Sequence, residues 1–199
     1  GRSMHRIYKA AKKCGYLKGL LEPLDPRDAK KIAKNKILFL ATGSQGEPMG
    51  AMNRIIVTSF ASNVARMESI FYCAKKTGRN ICLVGRSMQR IYKAARKCGY
   101  LKGLVEPIEP KDAKKIAKNK ILFLATGSQG EPMGAMMRVS NNVHPDVFIE
   151  KDDTVIFSSK IIPGNEKKLY KLHNQLVKEG IEVISEENEF VHVSGHPNR

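Results

Sequence analysis

No apolar run in this 199-residue chain approaches the roughly 20 residues of a membrane span; the longest, around Ile37 to Ala41, is strand-sized. The opening GRSMHRIYKA carries charge with no apolar stretch behind it, so it does not read as a secretory signal. Cysteine is scarce, at four, and no pair is spaced C-x-x-C, which argues against a disulfide frame or a zinc knuckle. Cys14, Cys73, Cys82 and Cys98 therefore read as buried thiols in a reducing compartment, and the expected location is the cytoplasm. A domain near 150 residues buries roughly 70% of its unfolded surface and needs no such staple. Negative charge is also short. Lys and Arg number 35 against 19 Asp and Glu, a net charge of +16, which favours a polyanionic partner.

The excess charge is uneven. Residues 1–56 carry 12 basic and 4 acidic groups, and residues 85–139 also carry 12 and 4, whereas residues 140–199 are slightly acidic. The two basic blocks are one block written twice. GRSMHRIYKAAKKCGYLKGLLEPLDPRDAKKIAKNKILFLATGSQGEPMGAM from Gly1 returns from Gly85, offset by 84, with mild changes such as His5 for Gln89 and Leu24 for Ile108. Solenoids repeat shorter units, usually three or more times, so this is a partial tandem duplication, natural or engineered, and not a repeat array. Residues 1–56 are accordingly read as a partial duplicate of 85–139, and residues 57–199 as the domain. About half of the excess charge is duplicated charge. The strand of the first copy has no strand of its own unit to pair with. It is expected to add to a sheet edge or to be exchanged with a second chain, giving a swapped dimer or other homo-oligomer through residues 1–56.

Along 57–199 apolar strands alternate with helices. Residues 57–60 read as a strand, then 61–76 as a helix with Val64, Met67, Ile70, Phe71 and Ala74 on one face. Residues 81–84 are a strand, followed by a helix to Lys97 capped by Ser87 and closed by Gly99. A short helix opens at Glu109-Pro110 and runs through Ala117, and residues 121–125 form a strand. After the turn GSQGEP a short helix runs to Arg138. Residues 147–149 and 154–158 read as strands, 165–178 as a helix with Leu169, Leu172, Leu176 and Val177 inward, and 181–185 and 190–193 as strands. This pattern predicts an α/β fold, a mostly parallel, Rossmann-like three-layer sheet with helices on both faces, plus an extra partial α/β repeat at the N-terminus.

Ligands of such sheets bind outside the carboxyl ends of the strands. Three polar, Gly-rich junctions fall there: Thr126-Gly127-Ser128-Gln129-Gly130-Glu131, Ser158-Ser159-Lys160 through Pro163-Gly164-Asn165-Glu166, and His192-Val193-Ser194-Gly195-His196. Together they suit a phosphate group. GSQGEPMG is neither a P-loop nor a dinucleotide fingerprint. His192 and His196 are four apart on a strand end and its turn, where helical facing does not apply; His196 is the better candidate for proton transfer or phosphate contact. His5, His144 and His173 read as surface or helix positions, and Lys114, Lys115, Lys118 and Lys120 as a solvated helix face.

VTSFASNVARMESI, GRSM, TGSQGEPMGAM, DTVIFSSKIIPGNE and VHVSGH, in this order, resemble the β-CASP region of bacterial ribonuclease J, of the metallo-β-lactamase superfamily. The resemblance covers nearly all of 57–199. It implies a β-CASP fold, a metal-dependent ribonuclease that degrades RNA 5′→3′ and sometimes cuts internally in RNA decay and maturation, and 5′-monophosphorylated RNA as partner. It also implies that Ser194, Gly195 and His196 contact phosphate, His196 being catalytic only with the metal domain, and that Ser158 and Ser159 lie on a neighbouring loop. Zinc is expected in the full-length family. This sequence holds no H-x-H-x-D-H motif, so no metal ligands and no cofactor are assigned to this chain, and it is not expected to cleave RNA alone. Two other readings stay open: a non-catalytic RNA-binding module, and a structural or designed duplication with no selected activity.

Overall fold

The computed structural model describes residues 53–187, together with 189 and 191. The first repeat copy and the Ser194-Gly195-His196 motif lie outside the described residues, as do His5, Cys14 and His192. Five strands form one sheet: β1 (Ile55–Thr58), β2 (Asn80–Val84), β3 (Ile121–Ala125), β4 (Thr154–Phe157) and β5 (Glu182–Ile184). Its order is β2-β3-β1-β4-β5, and every pairing is parallel. The helices are α1 (Val64–Lys76), α2 (Arg86–Lys97), α3 (Pro110–Ala113), α4 (Ala135–Ser140) and α5 (Glu166–Lys178), with one 3₁₀ turn at Lys118–Lys120.

The strands are apolar on both faces because both faces are covered. On one side Val57, Leu83 and Leu124 pack against Met67, Ile70 and Phe71 of α1 and Met88 and Tyr92 of α2. On the other, Ile56, Phe123 and Phe157 pack against Met136 and Val139 of α4 and Leu169, Leu172 and Leu176 of α5. The placement of helices follows one crossover hand. From β1 the chain moves outward to β2 through α1, then further outward through α2 to Ile108, which makes a single parallel bridge with Cys82 at the sheet edge. From Ile108 it turns back on the opposite face through α3 to β3, and continues that way through α4 to β4 and α5 to β5. The strand order therefore reverses at β1.

Several local expectations are corrected. β1 begins at Ile55 and has left the sheet by Phe60, which is 37% exposed. Gly85 (φ +111°) is the N-cap of α2, so Ser87 lies in the first turn. α3 ends at Ala113 rather than Ala117. Residues 147–149 form no strand: the Val147 N–H donates to His144 Nδ1 and the Glu150 N–H to Asp153 Oδ2, so these amides serve a loop, although Val147 and Ile149 are buried. Val177 is 59% exposed, because it lies one position past the inward row of α5 that ends at Leu176. Cys82 is buried, but Cys73 is only half-buried and Cys98 is exposed.

The amino ends of the strands are tied by buried charge. Asp153, 1% exposed, accepts the Arg54 backbone N–H at 3.0 Å and the Arg54 guanidinium at 3.1 Å. The guanidinium also lies 4.6 Å from the Phe148 ring centroid. Arg79, buried at the end of α1, donates to the carbonyls of Asn53 at 3.0 Å and Ile121 at 2.9 Å. Lys114, Lys115 and Lys118 pair with Asp146, Asp112 and Glu150, as a solvated face does.

Candidate nucleic-acid interface

The carboxyl ends of β1, β3 and β4 meet where the strand order reverses, the place a parallel sheet offers a ligand. Backbone bonds hold the three ends together. Ser59 N–H donates to Ala125 O at 3.1 Å, and Ser158 N–H to Thr58 O at 2.9 Å. The side chains at this junction are small and hydroxylic: Thr58 at the end of β1 and Ser59 after it, Ser128 after β3, and Ser158 and Ser159 after β4. All five are buried.

They divide into two groups. Ser158 Oγ accepts from Arg66 Nη1 at 2.8 Å and donates to Val191 O at 2.8 Å, and Arg66 Nη1 also reaches Ser158 O at 3.2 Å. Ser159 Oγ accepts from Gln129 Nε2 at 3.2 Å. Thr58 Oγ1, Ser59 Oγ and Ser128 Oγ have no hydrogen-bond partner among the described residues. Leaving a buried hydroxyl unpaired costs about 1–3 kcal/mol, so three such groups at the carboxyl ends of neighbouring strands mark places where a polar partner belongs.

Arg66 reaches the junction from α1. The Asn63 side chain caps that helix by accepting the Arg66 N–H at 3.0 Å, which fixes the first turn. Burial holds the guanidinium pKa below its ordinary value, yet an arginine stays protonated in proteins. A fixed cation thus stands behind the hydroxyls.

Gln129 joins the two Gly-rich loops. Its amide donates to Ser159 Oγ and, at 2.9 Å, to Lys160 O, while its Oε1 accepts the Ile162 N–H at 2.8 Å. Gly130 lets the first loop press on α5: with φ at +69°, an added Cβ would lie 2.8 Å from the Lys168 carbonyl. The glycines of TGSQG thus serve close packing of loop on helix, whatever they offer a ligand.

A cavity of about 610 Å³ opens farther along the same edge, at the carboxyl ends of β2 and β3. Arg86 and Arg90 of α2, Arg138 of α4, and His144 and Asp146 line it. His144 Nδ1 accepts the N–H groups of Asp146 and Val147, at 3.3 and 3.1 Å. Burial, then the nearby Arg138, holds its pKa below the usual histidine value.

Of the residues expected at the site, the structure brings Ser158 and Ser159 to the reversal point, where Ser158 Oγ holds the carbonyl of Val191, while Ser194, Gly195 and His196 lie outside the described residues. The sequence reading did not single out Thr58, Ser59 or Arg66 individually. Their signal was only the polar stretch after a short strand, which takes meaning once β1 is known to be central. No three His, Cys, Asp or Glu side chains converge as a metal-ligand set among the described residues. No helix among the described residues is long and apolar enough to cross a membrane.

Residues 1–55 and 52–176 each match the family model described as "Ribonuclease J, beta-CASP domain". The chain is 38% identical over 149 residues to Ribonuclease J of Sinorhizobium meliloti, covering 75% of this chain and 26% of that protein. It is 38% identical over 172 residues to Ribonuclease J 1 of Streptococcus pyogenes, covering 85% and 29%, and 41% identical over 152 residues to Ribonuclease J of Synechocystis, covering 75% and 23%. The chain thus spans about a quarter of the length of these relatives.

Proposed function

Because this chain belongs to the β-CASP domain family of ribonuclease J, we propose that it is the RNA-holding part of such a nuclease and receives a 5′-monophosphorylated RNA end where the strand order reverses. The observation that carries the reading is the trio of buried hydroxyls, Thr58, Ser59 and Ser128, without a partner among the described residues. A phosphate group has the acceptor oxygens they need, and hydrogen bonds to an ionised acceptor are roughly twice as strong as neutral ones.

Within this reading each residue has a separate task. Ser159, whose oxygen is occupied by Gln129, keeps its O–H to donate. Ser158 acts through others, holding Arg66 and the chain at Val191. Arg66 contributes positive potential from a buried position, where charge is screened less than at the surface. Ser194, Gly195 and His196, beginning three residues after Val191, complete the phosphate contacts. His196 takes part in cleavage only together with a metal domain, with zinc as the expected ion. The cytoplasm is the compartment this activity implies. Residues 1–56 act as a duplicate of 85–139, and their strand adds to an edge or exchanges with a second chain.

The test is binding of a 5′-monophosphorylated RNA against its 5′-hydroxyl twin, at two salt concentrations, with and without zinc and manganese, following RNA length on a gel. Preference for the phosphorylated end, loss of that preference in Ser59→Ala with Ser128→Ala, and intact RNA are expected. Equal binding of both twins that salt abolishes would show only general basicity. RNA shortened by this chain alone would refute the division of labour.

A further inference from the structure

The three arginines around the 610 Å³ cavity come from opposite faces of the sheet. Arg86 and Arg90 are one turn apart on α2, which covers one face; Arg138 is on α4, which covers the other. They converge above the carboxyl ends of β2 and β3, two strands along from β4, where Ser158 and Ser159 stand. All three are exposed, and none of their side chains makes a hydrogen bond or ion pair among the described residues. This is unlike other arginines of the domain: Arg54 is paired with Asp153, Arg96 with Glu106, and Arg79 is spent on backbone carbonyls. One carboxylate, Asp146, shares the cavity, and it already lies 3.6 Å from Lys114 Nζ. The cavity therefore keeps an excess of positive charge.

We propose that this cavity is a second RNA subsite, in which Arg86, Arg90 and Arg138 hold the sugar-phosphate backbone downstream of the 5′ end. The inference rests on the RNA reading above for the identity of the polyanion. The fit to a strand, rather than to one small anion, comes from shape and spacing. Side chains at i and i+4 on a helix stand about 5–6 Å apart, a separation that suits successive phosphates. Arg138 extends the row across the sheet crest, and 610 Å³ is room for more than a single phosphate group. Arginine suits this task because its planar fork can donate two bonds to one phosphate. His144, whose Nδ1 is engaged by backbone N–H groups, can add an Nε2–H donor on the same wall.

The full chain is the test molecule, with Arg2→Gln and Arg6→Gln introduced first, since these are the counterparts of Arg86 and Arg90 in the other copy. On that background, Arg86→Gln, Arg90→Gln and Arg138→Gln are combined. A control carries Lys167→Gln, Lys168→Gln and Lys171→Gln, three exposed cations on α5 away from the cavity. Binding of a 5′-monophosphorylated ten-nucleotide RNA and of its 5′-hydroxyl twin is measured across a salt series. Three lost phosphate contacts should lower the slope of log affinity against log salt by about 2, at about 0.7 for each contact on a single strand. Affinity for both RNAs should fall at least tenfold, with the ratio between them unchanged and the control nearly unaltered. An unchanged slope, or an equal loss in the control, overturns the proposal. If the parent chain shows no preference between the twins, the 5′-end reading fails on its own, while the slope still reports on the cavity.

Discussion

Replacing Gly130 by alanine isolates what the loop after β3 contributes to the fold and to the candidate site. Gly130 has φ at +69°, and a Cβ there would stand 2.8 Å from the Lys168 carbonyl carbon and oxygen and 2.9 Å from Leu169 N. Those are backbone atoms in the first turn of α5, so no side chain can swing aside. Gly78 offers an internal reference, with φ at +64° and nothing within 4 Å of the same added atom. Both substitutions carry the left-handed penalty of about 1–2 kcal/mol for an L-residue. Only Gly130→Ala adds overpacking against a helix, about 1–3 kcal/mol. The expected losses are thus about 1–2 kcal/mol for Gly78→Ala and about 2–5 kcal/mol for Gly130→Ala. Urea unfolding followed by circular dichroism reads the difference as a lower midpoint at constant slope. In a heat scan, each kcal/mol corresponds to about 2–4 °C for a chain this size. Gly130→Ala should also weaken RNA binding, because it moves Gln129, which holds Ser159 and the backbone at Lys160 and Ile162. Equal losses from the two substitutions would refute the contact between this loop and α5.

Two further outcomes follow from buried polar groups. Asp153→Ala strips Arg54 of its buried partner and leaves the Arg54 and Glu150 N–H groups without their acceptor, so it should cost about 3–5 kcal/mol in urea unfolding; a double variant with Arg54→Met should lose less than Asp153→Ala alone, and a loss below 1 kcal/mol would contradict the pairing. His173 is buried in α5 against Phe157, and burial holds its pKa below the ordinary histidine value of 6.5, with Glu187 opposing weakly. The unfolded chain then takes up a proton that the folded one resists, so this contribution is complete above about pH 6.5 and is lost as pH falls through that value toward the folded pKa. Between pH 7.5 and 5.0 the melting temperature of the parent should fall relative to that of His173→Leu, and parallel curves would contradict it.

The architecture was legible because the strands are short, apolar runs separated by helical periodicity. Residues 121–125 came out as read, and Met67, Ile70, Phe71 and Ala74 are the buried face of α1. What misled was local chemistry that tertiary contacts redirected. Val147 and Ile149 are buried like strand residues, yet they form no strand, and their loop is fixed by His144 and Asp153. Ser87 has the side chain of a helix cap, but the tight approach to Thr126 demands glycine at 85, and the cap moved there with it. Strand order is the larger gap. Nothing in the sequence says that β3 enters between β2 and β1, and Ile108 turns the chain back with a single bridge that no periodicity reveals.

That order is what separates the two ends of the sheet in function. At the amino ends, charged groups meet complementary partners: Arg54 with Asp153, and Arg79 with the carbonyls of Asn53 and Ile121. Those bonds fix the chain at the starts of β1, β3 and β4. At the carboxyl ends stand Thr58, Ser59 and Ser128, whose hydroxyls are buried without partners among the described residues. A fold selected only for stability gains nothing from three such hydroxyls, since valine or alanine would fill the same space at lower cost. The asymmetry, visible only once β1 is known to be central, is the physical ground for proposing an RNA contact at the carboxyl end. It also explains why charge alone was a poor guide: much of the net +16 belongs to a repeated block and to paired lysines, whereas the informative groups at the reversal point are mostly uncharged.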